Sequence, residues 1–281
     1  MPTQVFCERF FVQQSSEYQP RRYQAIVHSI GWLTIVFLVF PVLLTVIVSF
    51  NASFFIEFPP KALSIDWYGN IAKIHRIGHA TLISALVAFA SATVATLFGI
   101  CASLALVRTE LPAKAAITAF LVSPITIPMV AMGIALVQFF ILIGTAFTWY
   151  SLLIGHILLV LAYPIRTLVA SLTLSNMSLE EAARSLGATR RQVFITITLP
   201  QMKPGLISGF IFAFLISFDN YPISIFLVRG GLTTMPIELF NYITQNLDPT
   251  PAAFSSLYIA IVSIIIFFAE KRWRIISYAI H

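Results

Sequence analysis

Charge is what this chain has least of. Only 10% of its 281 residues are Asp, Glu, Lys or Arg, against about 25% in an ordinary soluble domain. Meanwhile 58% are hydrophobic and the mean hydropathy is +0.90. So little charge cannot give such an apolar chain a water-soluble surface, and lipid has to be its main solvent. Cysteine is scarce too. Cys7 lies in a polar tail and Cys101 in an apolar run, a spacing that suggests neither a disulfide framework nor a metal site. No G-x-x-x-x-G-K-[ST] occurs, so the chain has no P-loop to cradle nucleotide phosphates. Of the five histidines only His75 and His79 stand at helical spacing, and with no third ligand they read as interfacial side chains. Gly155-His156 has no serine in a protease-like arrangement. Catalysis by this chain finds no support, and neither metal nor organic cofactor is expected in it.

What the chain does have is long apolar runs. A helix needs about 20 apolar residues to cross a bilayer, and six stretches qualify: about 25–50, 80–107, 115–143, 151–174, 205–228 and 251–268. The expected fold class is therefore all-α and integral to the membrane, one bundle of six transmembrane helices over 25–268. It is flanked by polar tails at 1–24 and 269–281. Residues 1–24 lack the apolar core and cleavage site of a signal peptide, so the first run reads as a retained helix, kinked at Pro41. The second run is rich in small residues that allow close helix packing. The third is interrupted by Pro124 and Pro128 and should be bent or locally unwound. The loop Asn51–Gly78, with Trp67 and Tyr68, has room for a short interfacial helix. Contact with an extracytoplasmic partner and anchoring in the interface both fit it.

In a soluble protein the net charge of +6 would suggest nucleic acid as a partner. Here its distribution carries the information. With the N-terminus inside, twelve of the 17 lysines and arginines fall on the cytoplasmic side, among them Arg108, Arg184, Arg190, Arg191 and Lys203. Lys61, Lys73, Arg76 and Arg229 fall outside. The bias predicts cytoplasmic termini and a cytoplasmic loop at 175–204.

That loop carries the longest polar run between spans, SLEEAARSLGATRRQVFITITLP from Ser178 to Pro200. Ser178 with Glu181 makes a capping-box pattern that starts a helix. Leu179, Ala182, Ala183 and Leu186 then share one face, with Glu180, Arg184 and Ser185 turned away. Gly187 stops this helix, and Thr189 caps a second one, in which Val193, Phe194 and Ile197 share a face until Pro200. Glu181, Ala182, Ala183, Gly187, Ile197, Leu199 and Pro200, at this spacing, resemble the EAA loop of ABC importer membrane subunits.

The resemblance implies a cytoplasmic coupling helix that docks on an ATPase subunit. It also implies a dimer of such ATPases holding ATP and Mg, a second homologous permease subunit beside this one, and an extracytoplasmic solute-binding protein. The setting it implies is the bacterial inner membrane, where ATP hydrolysis belongs to the partner.

Asp219 is an acidic residue inside the fifth apolar run, and such residues mark transport paths or structural pairs. One reading has Asp219, with Ser217, Asn220 and Tyr221, lining the translocation path and attracting a cation. The other pairs it with Arg166. The stretch from Ser217 to Leu227, with Leu232-Thr-Thr-Met-Pro236 and Asp248-Pro249-Thr250, is similar to the spermidine/putrescine branch of these permeases, specifically its C-type subunit. Asn220 departs from that pattern, which often has an acidic residue there. Permeases for ferric iron, phosphonate or thiamine share much of the pattern. A secondary transporter would want more intramembrane charge and no docking loop.

Overall fold

The computed structural model describes residues 21–273; the tail with Cys7 and Arg9, and residues from Arg274 to His281, lie outside them. Among the described residues extended backbone pairs only in an isolated antiparallel bridge between Asn51 and Leu63. Everything else regular is helical.

Helix α1 (Arg21–Ser49) runs unbroken through Pro41, and its apolar side chains stay largely exposed on the described surface. The following loop does contain a short helix, α2 (Asp66–Lys73). Its aromatic residues are tied to protein. Trp67 Nε1 donates to the Asn51 carbonyl at 2.6 Å, and the Tyr68 hydroxyl lies 2.7 Å from Ser49 Oγ and 3.2 Å from Ser256 Oγ.

Helix α3 (His75–Arg108) has 34 residues, about 51 Å at 1.5 Å each, and starts five residues before the expected second span. The third apolar run is broken as its prolines require. Helix α4 (Lys114–Val122), a 3-10 turn (Ser123–Ile125) and helix α5 (Met129–Leu142) follow one another with a 95° bend. The fourth run forms α6 (Trp149–Val160) and α7 (Ala162–Thr173), which together are long and apolar enough for one span.

Next come α8 (Met177–Ser185), α9 (Arg190–Val193), a π-helical turn (Phe194–Thr198) and α10 (Leu199–Phe218). The fifth span was expected at 205–228, but α10 ends ten residues sooner. Pro222 supplies no N–H and disfavours helix at Tyr221. The chain then turns through α11 (Ser224–Leu227) and α12 (Met235–Gln245) into α13 (Thr250–Trp273). Five helical runs are long and apolar enough to cross a membrane, six if the bent α4–α5 pair is one span.

Helices α3, α7 and α10 form the close-packed centre. A Cβ on Gly99 of α3 would stand 3.0 Å from Pro164 Cβ of α7. One on Gly205 of α10 would stand 2.6 Å from both Ser171 Cβ and the Thr167 carbonyl, and one on Gly209 would stand 2.9 Å from Pro164 Cα. Only hydrogen fits at Gly205 and Gly209, and Gly99 is tightly packed, which is how small residues let membrane helices approach.

Candidate functional site

The polar loop folds into two joined helices, with its first cap two residues earlier than expected. Asn176, not Ser178, is the N-cap of α8: its Oδ1 accepts from the Ser178 backbone N–H at 3.0 Å. The short asparagine side chain competes well for that end. Gly187 ends the segment at φ +88°, a left-handed conformation that glycine adopts without Cβ strain. Thr189 caps α9 as its sequence suggests, in a capping box with Gln192. From Arg190 the chain stays helical to Phe218, passing Pro200 and Pro204 without a break. Pro200 sits in the first turn of α10, where a missing N–H costs least. The π turn lengthens the register just before it.

The faces of α8 differ from the expected ones in one respect. Leu179 is 51% exposed and Leu186 89% exposed, with Glu181 and Ala182 also exposed and Ala183 half-buried. The apolar ridge therefore points away from the body of this chain. Glu180, expected among the outward charges, is buried at 5% exposure. The reason is Arg108, the last residue of α3. Its Nη2 donates to Glu180 Oε1 at 2.8 Å and to Ser175 Oγ at 2.7 Å. Ile197 and Leu199 are half-buried at the root of the loop and Pro200 is exposed. Gln201 fastens the start of α8, its Oε1 accepting from the Asn176 N–H at 2.9 Å.

The second candidate group lies at the far end of α10. Asp219 is the C-cap, its N–H donating to the Leu215 carbonyl at 3.1 Å. It stands about 30 Å along the helix from Leu199, rather than inside a continuing helix. Its side chain is exposed, and no ion pair joins it to Arg166, whose own exposed side chain lines a cavity of about 1010 Å³ with Lys114. The pairing reading is thus not realised.

Ser217 and Asn220 point inward instead. Ser217 Oγ is 2.7 Å from His156 Nδ1 and 3.0 Å from Ser91 Oγ. His156 Nε2 is 3.0 Å from Ser224 Oγ, whose hydroxyl donates to the Asn220 carbonyl. Asn220 Oδ1 accepts from the Ile223 N–H at 3.0 Å in the turn that precedes α11. Tyr221 is half-buried against the Phe240 ring. A polar chain therefore joins α3, α6, α10 and α11 inside an apolar core. Sequence reasoning weighed His156 only for a protease-like serine and missed these partners, although a histidine within an apolar run is itself a signal that polar groups are near.

Polar contacts also gather at the end of α3 away from Arg108. Arg76 Nε meets the buried Glu238 at 3.2 Å, Asn70 Nδ2 donates to Thr250 Oγ1 at 3.0 Å, and Arg229 lies 5.4 Å from the Phe147 ring centre. Among the described residues no three His, Cys, Asp or Glu side chains come together as metal ligands.

Comparison with known proteins agrees with this architecture. The family model described as "Binding-protein-dependent transport system inner membrane component" matches residues 95–272. The putrescine transport system permease protein PotI of Escherichia coli K12 is 32% identical over 240 residues, covering 83% of this chain and 85% of that one. The spermidine/putrescine permease PotC of Haemophilus influenzae is 27% identical over 225 residues, covering 80% and 87%. The molybdenum permease ModB of Escherichia coli K12 is 30% identical over 188 residues, covering 60% and 82%.

Among solved structures, a chain of a bacterial ABC transporter that imports alginate aligns with a TM-score of 0.68 at 14% identity, covering 91% of this chain and 99% of that one. The inward-facing MetNI methionine transporter aligns at 0.57 and 16%, covering 74% and 98%. The chain belongs to the binding-protein-dependent transport system inner membrane components, and is a multi-pass inner-membrane permease of the ABC transporter class.

Proposed function

We propose that this permease is one membrane half of an ATP-driven importer of polyamines, putrescine or spermidine. The observation that carries the solute is the 32% identity to a putrescine permease across 83% of the chain. A second relative, named for spermidine and putrescine, spans almost as much.

The outward apolar ridge of α8 is the docking face for an ATPase subunit. Since this chain has no P-loop, ATP and Mg belong to a dimer of such ATPases. A second homologous permease completes the path, and a solute-binding protein delivers polyamine on the opposite side. Six spans with both termini cytoplasmic suit this arrangement. The α8 end of the molecule carries Arg108, Arg184, Arg190 and Arg191, and the other end carries Arg76 and Arg229. ATP can drive the path from one side to the other only if the ATPase dimer binds the two states differently, so α8 has to move with the spans. Asp219 supplies the negative charge that draws a polyamine cation, with Tyr221 beside it and Ser217 and Asn220 behind.

Proteoliposomes containing the complex that co-purifies with this chain, with binding protein added, test the solute. Radiolabelled putrescine should accumulate on ATP addition, with spermidine competing and ferric iron, phosphonate, thiamine or molybdate not. Asp219→Asn should lower that uptake while leaving the ATPase subunits bound. Accumulation of one of the other solutes in place of putrescine would replace the polyamine assignment.

A further inference from the structure

The docking helix is held at two points besides its own chain connections. Gln201 fixes its first turn to α10, as described above. Arg108 reaches from the end of α3 to Glu180 in the first turn of α8 and to Ser175 in the linker before it. Ser175 Oγ in turn donates to the Leu172 carbonyl at the end of α7. The pair is withdrawn from water, with side-chain exposures of 14% for Arg108 and 7% for Glu180. It also differs from the Lys61–Glu57 and Arg76–Glu238 pairs. Lys61–Glu57 joins neighbouring turns of one loop, and the Arg76 side chain is 81% exposed. Arg108 Nε is buried without a hydrogen-bond partner, so this guanidinium is committed to the joint rather than to solvent.

Helix α8 follows α7 and precedes α10 in the chain, so both receive its motion through short linkers. No chain connection of that kind reaches α3, which precedes α8 by more than sixty residues. Gly99 against Pro164 and Leu168, and Gly205 and Gly209 against Ser171, Thr167 and Pro164, lock α3, α7 and α10 together. We infer that the Arg108–Glu180 pair is the strut that makes α8 move as one body with all three central spans. It thereby converts ATPase movement into movement of the path. The two linkers alone join α8 to the bundle only through its ends. A cation at the end of one helix that donates to a buried carboxylate on another is suited to this role, since a charge-assisted bond withdrawn from water is strong and breaking it leaves a buried charge uncompensated.

This inference rests on the docking role proposed for α8, and the experiment separates the two. Complexes carrying Arg108→Gln, Glu180→Ala, or the exchange Arg108→Glu with Glu180→Arg are compared with the natural protein. Readouts are ATPase co-purification, ATP hydrolysis, and putrescine taken up per ATP hydrolysed in proteoliposomes. The single variants should retain the ATPase subunits and their hydrolysis, while uptake per ATP falls about tenfold, within the usual range for one coupling element. The exchange preserves the combined reach of the two side chains and should recover a large part of the loss. Natural uptake per ATP in both singles would overturn the strut, as would loss of the ATPase subunits from them or an exchange no better than either single. If the natural protein itself fails to retain an ATPase, the docking assignment falls first.

Discussion

Gly187 shows how narrowly one residue can be specified. Its φ is +88°, yet nothing lies within 4 Å of the position a Cβ would take. Backbone strain alone, about 1–2 kcal/mol for an L residue in this region, then decides what it tolerates. Gly187→Ala and Gly187→Leu should impair ATP-driven uptake alike, and Gly187→Asn much less, with equal amounts of each variant inserted in membranes. A graded loss that follows side-chain volume would show that the position contacts a partner. This glycine and the Thr189 cap were legible in the sequence because both are local chemistry. The inward turn of Glu180 was not. Helical periodicity marks an apolar stripe, but the side chain that buries Glu180 comes from Arg108, 72 positions away. The partners of His156 were not legible for the same reason, since Ser217 and Ser224 lie 61 and 68 positions further on.

At the scale of elements, hydropathy located the spans and proline located their breaks, but with unequal success. Pro124 and Pro128 fall at the 95° bend between α4 and α5. Pro222 ended α10 well before the apolar run did, because the following residues through Leu227 are apolar for another purpose. They fold back as α11 against the bundle, where Gly133 of α5 and Gly155 of α6 leave room for Phe226 and Leu227. A hydropathy window cannot distinguish such a returning segment from a longer helix. The π turn at Phe194–Thr198 had no sequence signal either. The glycine crossings make a separate prediction. Gly205→Ala would force α10 away from the Thr167 carbonyl and Ser171, and should destabilise the purified complex by about 1–3 kcal/mol. Gly69→Ala in α2 meets open space and should be neutral or stabilising by up to about 1 kcal/mol. Thermal unfolding in detergent measures both; equal effects would mean the α7–α10 crossing is looser than described.

At the scale of the whole molecule, α3, α7 and α10 form a shaft. Its one end carries α8, and its other end opens into the Asp219 turn and the polar contacts of α2, α12 and α13. Family membership and inner-membrane placement follow from the comparisons, whereas the docking of α8 is the claim on which the transport cycle turns. It is tested most directly by cross-linking. In a background with Cys7 and Cys101 replaced by serine, Leu186→Cys places a thiol on the most exposed part of the ridge, and Leu38→Cys places one on the exposed apolar face of α1. Treatment of the purified complex with a short bifunctional maleimide should join the Leu186→Cys permease to the ATPase subunit and leave the Leu38→Cys permease unjoined. A Leu186→Cys thiol that stays uncross-linked, and reacts freely with a water-soluble maleimide while the ATPase remains bound, would contradict the account.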